Sequence, residues 1–229
     1  MTSTDRPIVW TGCVLFLLCL VSWAVALWVA PGDQHQGEVY RIMYLHVPVA
    51  ISAFVTAYVL LAASIAGLWR RSETSLFWGK ASSEAGLALT VLTLATGSIW
   101  GYPTWGVWWT WDARITTTFL LALLFAGWLF LHESLNPGPG RVRICAALGV
   151  LIAVDVPVIY KSVTWWRTLH QPPSILREGK STMAPEMLSI LGLCFATTLL
   201  FSLWLIAMRA GNLNLRDKIQ KLSHQLPVG

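Results

Sequence analysis

The segment WGVWWTWDAR, residues 105–114, combines large aromatic side chains with a charge pair. Its candidate binding residues are Trp105, Trp108, Trp109, Trp111, Asp112 and Arg114. Indole rings offer flat apolar faces, and a few polar groups placed beside such faces mark binding sites. Anchors at a membrane surface are usually isolated tryptophans or pairs, and Trp100 makes this cluster larger still. A ligand platform is therefore favoured over the alternative, a simple aromatic belt.

The spacing within the segment predicts a short helix over residues 104–112. Three of its tryptophans and Asp112 stand at i, i+3, i+4 and i+7, which places them on one helical face. A proline before the segment and a glycine within it limit the helix to one or two turns lying in the interface. Asp112 is expected either to cap the helix that follows or to pair with Arg114.

Two histidines lie in sequence surroundings that suggest function. His46 stands at the start of an apolar run in MYLHVPVA, and His170 follows a tryptophan pair in WWRTLHQPPS. An ionisable side chain in such a run is costly and therefore indicates a role beyond packing. The other histidines are expected to be hydrogen-bonded surface residues; they are His35, His132 and His224.

The binding of haem fits this set of side chains. Indole faces stack on a flat apolar ring, and an arginine meets a carboxylate with two parallel hydrogen bonds. Two imidazoles can supply axial nitrogens to the iron. We therefore predict haem b as the cofactor, with His46 and His170 as metal ligands. Arg114 is the candidate for a propionate contact, and its alternative role is an ion pair with Asp112.

Membrane-spanning helices must position these residues. Of the 229 residues, 55% are hydrophobic and only 12% are charged, about half the charged share of soluble domains. A bilayer is crossed by about 17 to 25 apolar residues in a helix, because backbone groups in lipid must bond within their own segment. Six apolar runs are candidates: 8–30, 44–69, 85–100, 115–131, 144–160 and 185–208. The predicted fold is an all-α polytopic membrane protein that forms a single domain.

The distribution of basic residues predicts the orientation. With both termini in the cytoplasm, ten of the sixteen lysines and arginines lie on the inner side, and positive loops tend to stay inside. The net charge of +5 is then explained by topology rather than by a nucleic-acid surface. The tryptophan segment, 100–117, and the histidine segments, 40–48 and 161–184, face outward. The basic tail, 209–229, faces inward.

Three further expectations concern a possible cleavage site, one aspartate and a set of tryptophans. Ala24-Val25-Ala26 is similar to a signal-peptidase site, but the apolar run continues beyond it, so a retained first helix is expected. Asp155 is expected to pair with Arg41 or Lys161, or to support a haem-ligating histidine. Several tryptophans are expected to anchor helix ends at the interface: Trp10, Trp23, Trp28, Trp69, Trp78, Trp128 and Trp204.

The segment at 105–114 resembles WGxWWxWDxR, the signature of the haem-handling WWD-domain family of cytochrome c biogenesis. The two histidine segments are similar to the outer histidine segments of its six-helix branch, cytochrome c maturation protein C (CcmC, haem exporter protein C). The resemblance covers residues from about 40 to 185. It implies axial ligation of haem by His46 and His170, above a platform formed by the tryptophans and Asp112. The sequence departs from the pattern at Ile115, where leucine is expected, and at the double proline of HQPPS.

The resemblance also implies partners and a location. Family members present haem on the periplasmic face of the bacterial inner membrane to the membrane-anchored haem chaperone CcmE. They work beside the ABC transporter subunits CcmA and CcmB and the small single-span protein CcmD. An ATPase or redox motif is not found in the sequence, so a delivery factor is expected rather than an enzyme. The alternatives are a permease subunit that moves haem or another amphiphile across the membrane, and a quinone-linked redox enzyme.

Overall fold

The computed structural model describes residues 5–70, 74–171 and 183–225, and within these ranges all regular structure is helical. Six helices are present: α1 (Asp5–Trp28), α2 (Met43–Arg70), α3 (Thr74–Trp105), α4 (Ala113–Ser134), α5 (Pro139–Trp165) and α6 (Pro185–Ser223). A short 3-10 turn, Glu38–Ile42, leads into α2. All six helices are long and apolar enough to cross a membrane. The predicted all-α, six-helix membrane fold is confirmed.

The helices extend beyond the apolar runs that predicted them. Helix α3 begins at Thr74 rather than near residue 85, and α6 continues from the membrane span through most of the basic tail to Ser223. Polar residues at these ends therefore belong to helices, because a helix does not have to stop where the hydrocarbon layer stops. Residues 1–4, 71–73, 172–182 and 226–229 lie outside the described part of the chain. Part of the predicted histidine segment 161–184 therefore falls outside it as well.

Helix α2 lies at the centre of the bundle, where it packs against α3, α5 and α6. Helix α4 packs between α3 and α5, and α1 packs mainly on α6. A buried apolar cluster fills the space around α2, α4 and α5; its largest members are Leu60, Leu121, Phe125, Trp128, Ile152 and Ile159. Successive helices run in opposite directions. The end of α3, the start of α4 and the end of α5 therefore meet at the end of the bundle where α2 begins.

Two expectations about aromatic and histidine side chains are wrong at the other end of the bundle. Trp128 is not an interfacial anchor, since it is only 1% exposed and its indole N–H donates to the carbonyl of Cys145 at 2.9 Å. His132 is buried rather than at the surface, with its ring stacked on Trp128 at 5.3 Å. Both follow from the position of α4 between two other helices, which leaves these side chains no route to the interface.

Candidate functional site

His46 lies in the first turns of α2 and points into the bundle. Its side chain is buried, with 9% of the residue exposed, and Nδ1 is 2.9 Å from Oγ1 of Thr96 on α3. The indole of Trp100 packs edge-on against the imidazole at 5.8 Å. A Cβ at Gly97 would lie 3.1 Å from Cε1 of His46, so glycine leaves the space that this ring occupies. One face of α3 thus holds His46 in a single position.

His170 lies in the loop that follows α5, at the same end of the bundle. Its backbone N–H donates to Oγ1 of Thr168 at 2.8 Å, and its Nδ1 is 2.9 Å from the carbonyl oxygen of Gln171. A carbonyl can only accept, so Nδ1 carries the proton and Nε2 of the neutral ring has a free lone pair. The indole of Trp105 lies 6.2 Å from the imidazole. Burial, together with the positive charge of Arg114, lowers the pKa of His170 below 6.5 and favours the neutral form.

The two imidazoles and one guanidinium share a common electrostatic environment. His46 is within electrostatic range of both His170 and Arg114. His170 is likewise within range of Arg114 and Asp112. His46 and His170, which are more than a hundred positions apart in the sequence, therefore lie within electrostatic range of each other.

Asp112 connects the tryptophan segment to the loop of His170. Its Oδ1 accepts the backbone N–H of Ile115 at 3.0 Å, which caps α4, and its Oδ2 accepts the N–H of Leu169 at 3.3 Å. The predicted cap is present. Within the described residues Asp112 makes no ion pair with Arg114, whose Nη2 instead donates to the carbonyl of Tyr160 at 3.1 Å. The Nε of Arg114 is buried and has no hydrogen-bond partner there.

The short helix predicted over residues 104–112 is wrong. Helix α3 ends at Trp105, Gly106 adopts φ 76°, and the residues that follow are irregular up to the cap of α4. Two physical constraints explain this outcome. A positive φ at a glycine ends a helix, and an N-cap residue requires extended backbone, which Asp112 adopts with ψ 168°. The spacing i, i+3, i+4, i+7 is present in the sequence, but the residues after Trp105 do not form the helix that would place these side chains on one face.

The tryptophans consequently form separate contacts rather than one helical face. Trp108 stacks on Tyr102 at 4.5 Å with an angle of 12° between the rings. Trp109 packs edge-on against Trp111 at 5.4 Å and against Phe119 at 6.0 Å. Much of this aromatic surface is open, since Trp108 is 57% exposed and Trp111 is 73% exposed. The segment presents the indoles of Trp108 and Trp111 outward on an irregular backbone.

Asp155 does not form the predicted ion pair. It is buried in α5, with 7% exposed, and its Oδ2 has no hydrogen-bond partner among the described residues. Arg41 pairs instead with Glu38 at 2.6 Å. The structure also shows no hydrogen bond from Asp155 to either histidine of the site within the described ranges. It therefore lies outside the hydrogen-bonded arrangement at this end of the bundle.

Three supporting side chains were not identified from the sequence. They are Thr96, which contacts His46; Gln36, whose Oε1 accepts the indole N–H of Trp100 at 2.8 Å; and Tyr102, which stacks on Trp108. The available signal for Thr96 was a hydroxyl residue and a glycine side by side, one turn before Trp100. In an α3 rich in threonine and glycine, that signal does not distinguish one threonine from the others.

Comparison with known proteins gives consistent results over most of the chain. The family model CcmC, described as Heme exporter protein C, matches residues 1–225. Heme exporter protein C of Bradyrhizobium diazoefficiens is 38% identical over 226 residues, covering 97% of this chain and 84% of the relative. The protein of the same name from Escherichia coli K12 is 36% identical over 205 residues, covering 89% and 82%. A putative cytochrome c biosynthesis ccmC-like mitochondrial protein of Arabidopsis thaliana is 36% identical over 196 residues, covering 84% and 74%.

The family match includes every residue of the site described above and spans all six helices. The chain therefore belongs to the CcmC family, the family of Heme exporter protein C.

Proposed function

We propose that this protein binds haem at the end of the bundle where α2 begins and delivers it to a membrane-anchored haem chaperone during cytochrome c maturation. In this proposal His46 and His170 are the axial ligands of the iron. Membership of the Heme exporter protein C family supports a role in haem delivery. The observation that carries the proposal is that two imidazoles, from α2 and from the loop after α5, lie at one end of the bundle within electrostatic range of each other.

The residues at this end fit haem rather than a bare metal ion. No group of three or more His, Cys, Asp or Glu side chains that could hold a metal occurs in the described part of the chain. Iron in a porphyrin is already held by the ring nitrogens, so it needs only axial ligands. Each imidazole has Nδ1 beside a protein oxygen, which leaves Nε2 for the iron. The backbone carbonyl of Thr93 is a further partner of the His46 imidazole. Two nitrogens are therefore available for such an iron.

The surrounding side chains suit the rest of the haem. The indoles of Trp105, Trp108, Trp109 and Trp111, with Asp112, would form the platform, on a largely irregular segment instead of the predicted helix. Trp105 lies nearest to His170, and the open faces of Trp108 and Trp111 offer apolar surface to a flat ring. The buried Nε of Arg114, which has no partner in the described residues, supports its role in a propionate contact.

The proposed location and partners follow from orientation and family. With the termini in the cytoplasm, the site faces the periplasm of a bacterial inner membrane, since the loops richer in lysine and arginine stay inside. The proposed recipient is the haem chaperone CcmE, and the proposed neighbours in the membrane are the ABC transporter subunits CcmA and CcmB and the single-span protein CcmD. Haem would be held by noncovalent stacking and two axial bonds, and a partner protein can break these interactions.

Purified variants test the ligand assignment. Wild-type protein is expected to show the optical spectrum of a bis-histidine haem, and His46→Ala and His170→Ala are each expected to lose it. His35→Ala is the matched control, because His35 is exposed at the same end and only its backbone N–H is engaged by Asp33. Retention of the wild-type spectrum in both site variants would refute the assignment.

A second measurement separates delivery from translocation. Wild-type protein loaded with haem in detergent is mixed with the soluble domain of the chaperone, and transfer is followed optically. Proteoliposomes containing this protein alone are then tested for movement of haem across the bilayer. Transfer without translocation supports the delivery function, whereas translocation by the protein alone would favour the permease.

A further inference from the structure

We infer that Thr96 is a positioning residue that fixes the tautomer of His46, so that Nε2 carries the free lone pair. The inference concerns a residue of the haem site that the sequence motif does not contain. It rests on the proposed function only in that this Nε2 is the atom assigned to the iron. The tautomer itself is a property of the haem-free protein.

The Thr96 hydroxyl has a single proton to donate. Oγ1 of Thr96 lies 2.8 Å from the carbonyl oxygen of Leu92, one turn earlier in α3, and 3.2 Å from that of Thr93. Both oxygens can only accept. Two oxygens at 2.8 Å without a hydrogen between them would repel each other, so the hydroxyl proton points toward the helix backbone.

Only an acceptor lone pair of Oγ1 is then left for His46. Its Nδ1 is 2.9 Å from that oxygen, a normal hydrogen-bond length. Nδ1 must therefore be the donor and carry the ring proton. In a neutral imidazole the other nitrogen is then unprotonated. The hydrogen bond of the threonine to its own helix thus decides which nitrogen of the histidine is available to a metal.

The position of the ring is fixed by the same face of α3. Gly97 provides the space for Cε1, and Trp100 packs edge-on against the imidazole. A 180° rotation of the ring would place Cδ2 where Nδ1 now lies, and the bond to Thr96, which is itself buried at 4% exposure, would be lost. A hydrogen bond from the second nitrogen of a ligating histidine also raises the basicity of the nitrogen that binds the metal.

The two histidines reach the same tautomer by different means. The Nδ1 of His170 meets the backbone carbonyl of Gln171, an acceptor that no substitution can remove. The Nδ1 of His46 meets the hydroxyl of Thr96, which a single substitution can remove, and the imidazole also has the backbone carbonyl of Thr93 as a hydrogen-bond partner. The arrangement at His46 can therefore be tested by mutation while His170 serves as an internal reference.

Three variants isolate the hydroxyl group. Thr96→Val replaces it with a methyl group of similar size, and Thr96→Ser retains it. Thr90→Val is the matched control, because the buried hydroxyl of Thr90 donates to the carbonyl of Gly86 in the same helix and has no hydrogen bond to a histidine. All three changes keep a small side chain at a buried position of α3.

The first measurement uses haem-free protein with ¹⁵N-labelled histidine, and His46→Gln assigns the signals. Wild-type protein and the Thr96→Ser and Thr90→Val variants are expected to show His46 protonated at Nδ1. Thr96→Val is expected to shift the population toward the Nε2-protonated form, with the His170 signals unchanged. Protonation at Nε2 in wild-type protein would overturn the inference without any variant. Unchanged His46 signals in Thr96→Val would overturn it as well.

The second measurement is the rate at which loaded protein releases haem to an excess of apomyoglobin. Loss of the hydrogen-bond partner of a ligating histidine weakens metal binding about 10- to 100-fold, so Thr96→Val is expected to release haem at least about tenfold faster. Thr96→Ser and Thr90→Val are expected to match wild type. Equal release rates for Thr96→Val and Thr90→Val would contradict the positioning role. If His46→Ala kept the bis-histidine spectrum, the ligand assignment would fail while the tautomer result from the haem-free protein would stand.

Discussion

The carboxylate of Asp112 is bonded to the backbone N–H of Leu169, the residue immediately before His170, at 3.3 Å. The same carboxylate caps α4 through Ile115 at 3.0 Å. One side chain therefore holds the loop that presents a proposed haem ligand against the start of a membrane helix. The aspartate of the tryptophan segment has this structural role whether or not it contacts the ligand itself.

Asp112→Asn is expected to loosen the loop while leaving α4 intact. Asparagine is as good an N-cap as aspartate, but its amide nitrogen cannot accept the N–H of Leu169. Limited trypsin digestion in detergent should therefore cleave faster after Arg167, which is exposed in this loop. Asp112→Ala should show the same faster cleavage and also lose about 1 kcal/mol in the free energy of unfolding, because the cap is removed.

The control for this prediction is Asp217→Asn, which changes a carboxylate that pairs with Lys221 near the end of α6. Its cleavage rate after Arg167 should equal that of wild type. If Asp112→Asn were cleaved at the wild-type rate as well, the bond to Leu169 would not be restraining the loop.

Substitution of Trp111 is expected to separate ligand binding from stability. The indole is 73% exposed, so Trp111→Leu should leave the thermal unfolding midpoint close to that of wild type. If Trp111 belongs to the proposed platform, Trp111→Leu should reduce the amount of haem that copurifies, because a stacking surface is lost. Trp69→Leu is the matched control, since Trp69 is 86% exposed at the opposite end of the bundle. Equal haem content in the two variants would argue that Trp111 serves only as an interfacial anchor.

Gly106→Ala tests the backbone geometry that ends α3. A left-handed conformation costs about 1–2 kcal/mol for a residue with a Cβ, and Gly106 has φ 76°. No atom lies within 4 Å of the position that a Cβ would take, so the cost is conformational rather than steric. The variant should unfold at a lower temperature, and Gly106→Asn should recover part of the difference because asparagine tolerates this conformation. A stability for Gly106→Ala equal to that of wild type would show that the segment can adopt a negative φ there.

The pKa of His170 predicts how the haem-free protein responds to acid. Burial and Arg114 lower this pKa below the ordinary value of 6.5, so between the two values the unfolded chain binds the proton and the native chain does not. The contribution of His170 to the free energy of unfolding should therefore decrease as the pH is lowered below about 6.5. A histidine chemical-shift titration in haem-free protein, assigned with His170→Gln, measures the midpoint directly. A midpoint at or above 6.5 would contradict the prediction.

The sequence predicted the fold because membrane helices follow from composition. Backbone groups in lipid must be paired within each segment, so apolar length alone determines the number and type of elements. It also indicated His46, since a histidine at the start of an apolar run is unusual, and His170, which follows a tryptophan pair. Their meeting at one end of the bundle follows from the alternating direction of the helices, which brings the start of α2 and the end of α5 together.

The local geometry of the tryptophan segment could not be predicted in the same way. Its spacing suits a helix, but Gly106 and the cap at Asp112 decide the backbone, and helical periodicity carries no information about either. Burial of Trp128 depends on which helices surround α4, a tertiary property that interfacial enrichment of tryptophan does not reveal. The role of Thr96 depends on a 2.9 Å contact between two helices and so required coordinates.

The two proposed ligands differ in how firmly the surrounding residues hold them. His46 belongs to a membrane helix and is held by its neighbour α3, whereas in the described part of its loop His170 is held through the bond of Leu169 to Asp112 and its own N–H bond to Thr168. Displacing the loop breaks fewer interactions than displacing a helix. Handover would then proceed in a defined order, beginning with detachment of His170 and passing through a state in which His46 alone retains the cargo.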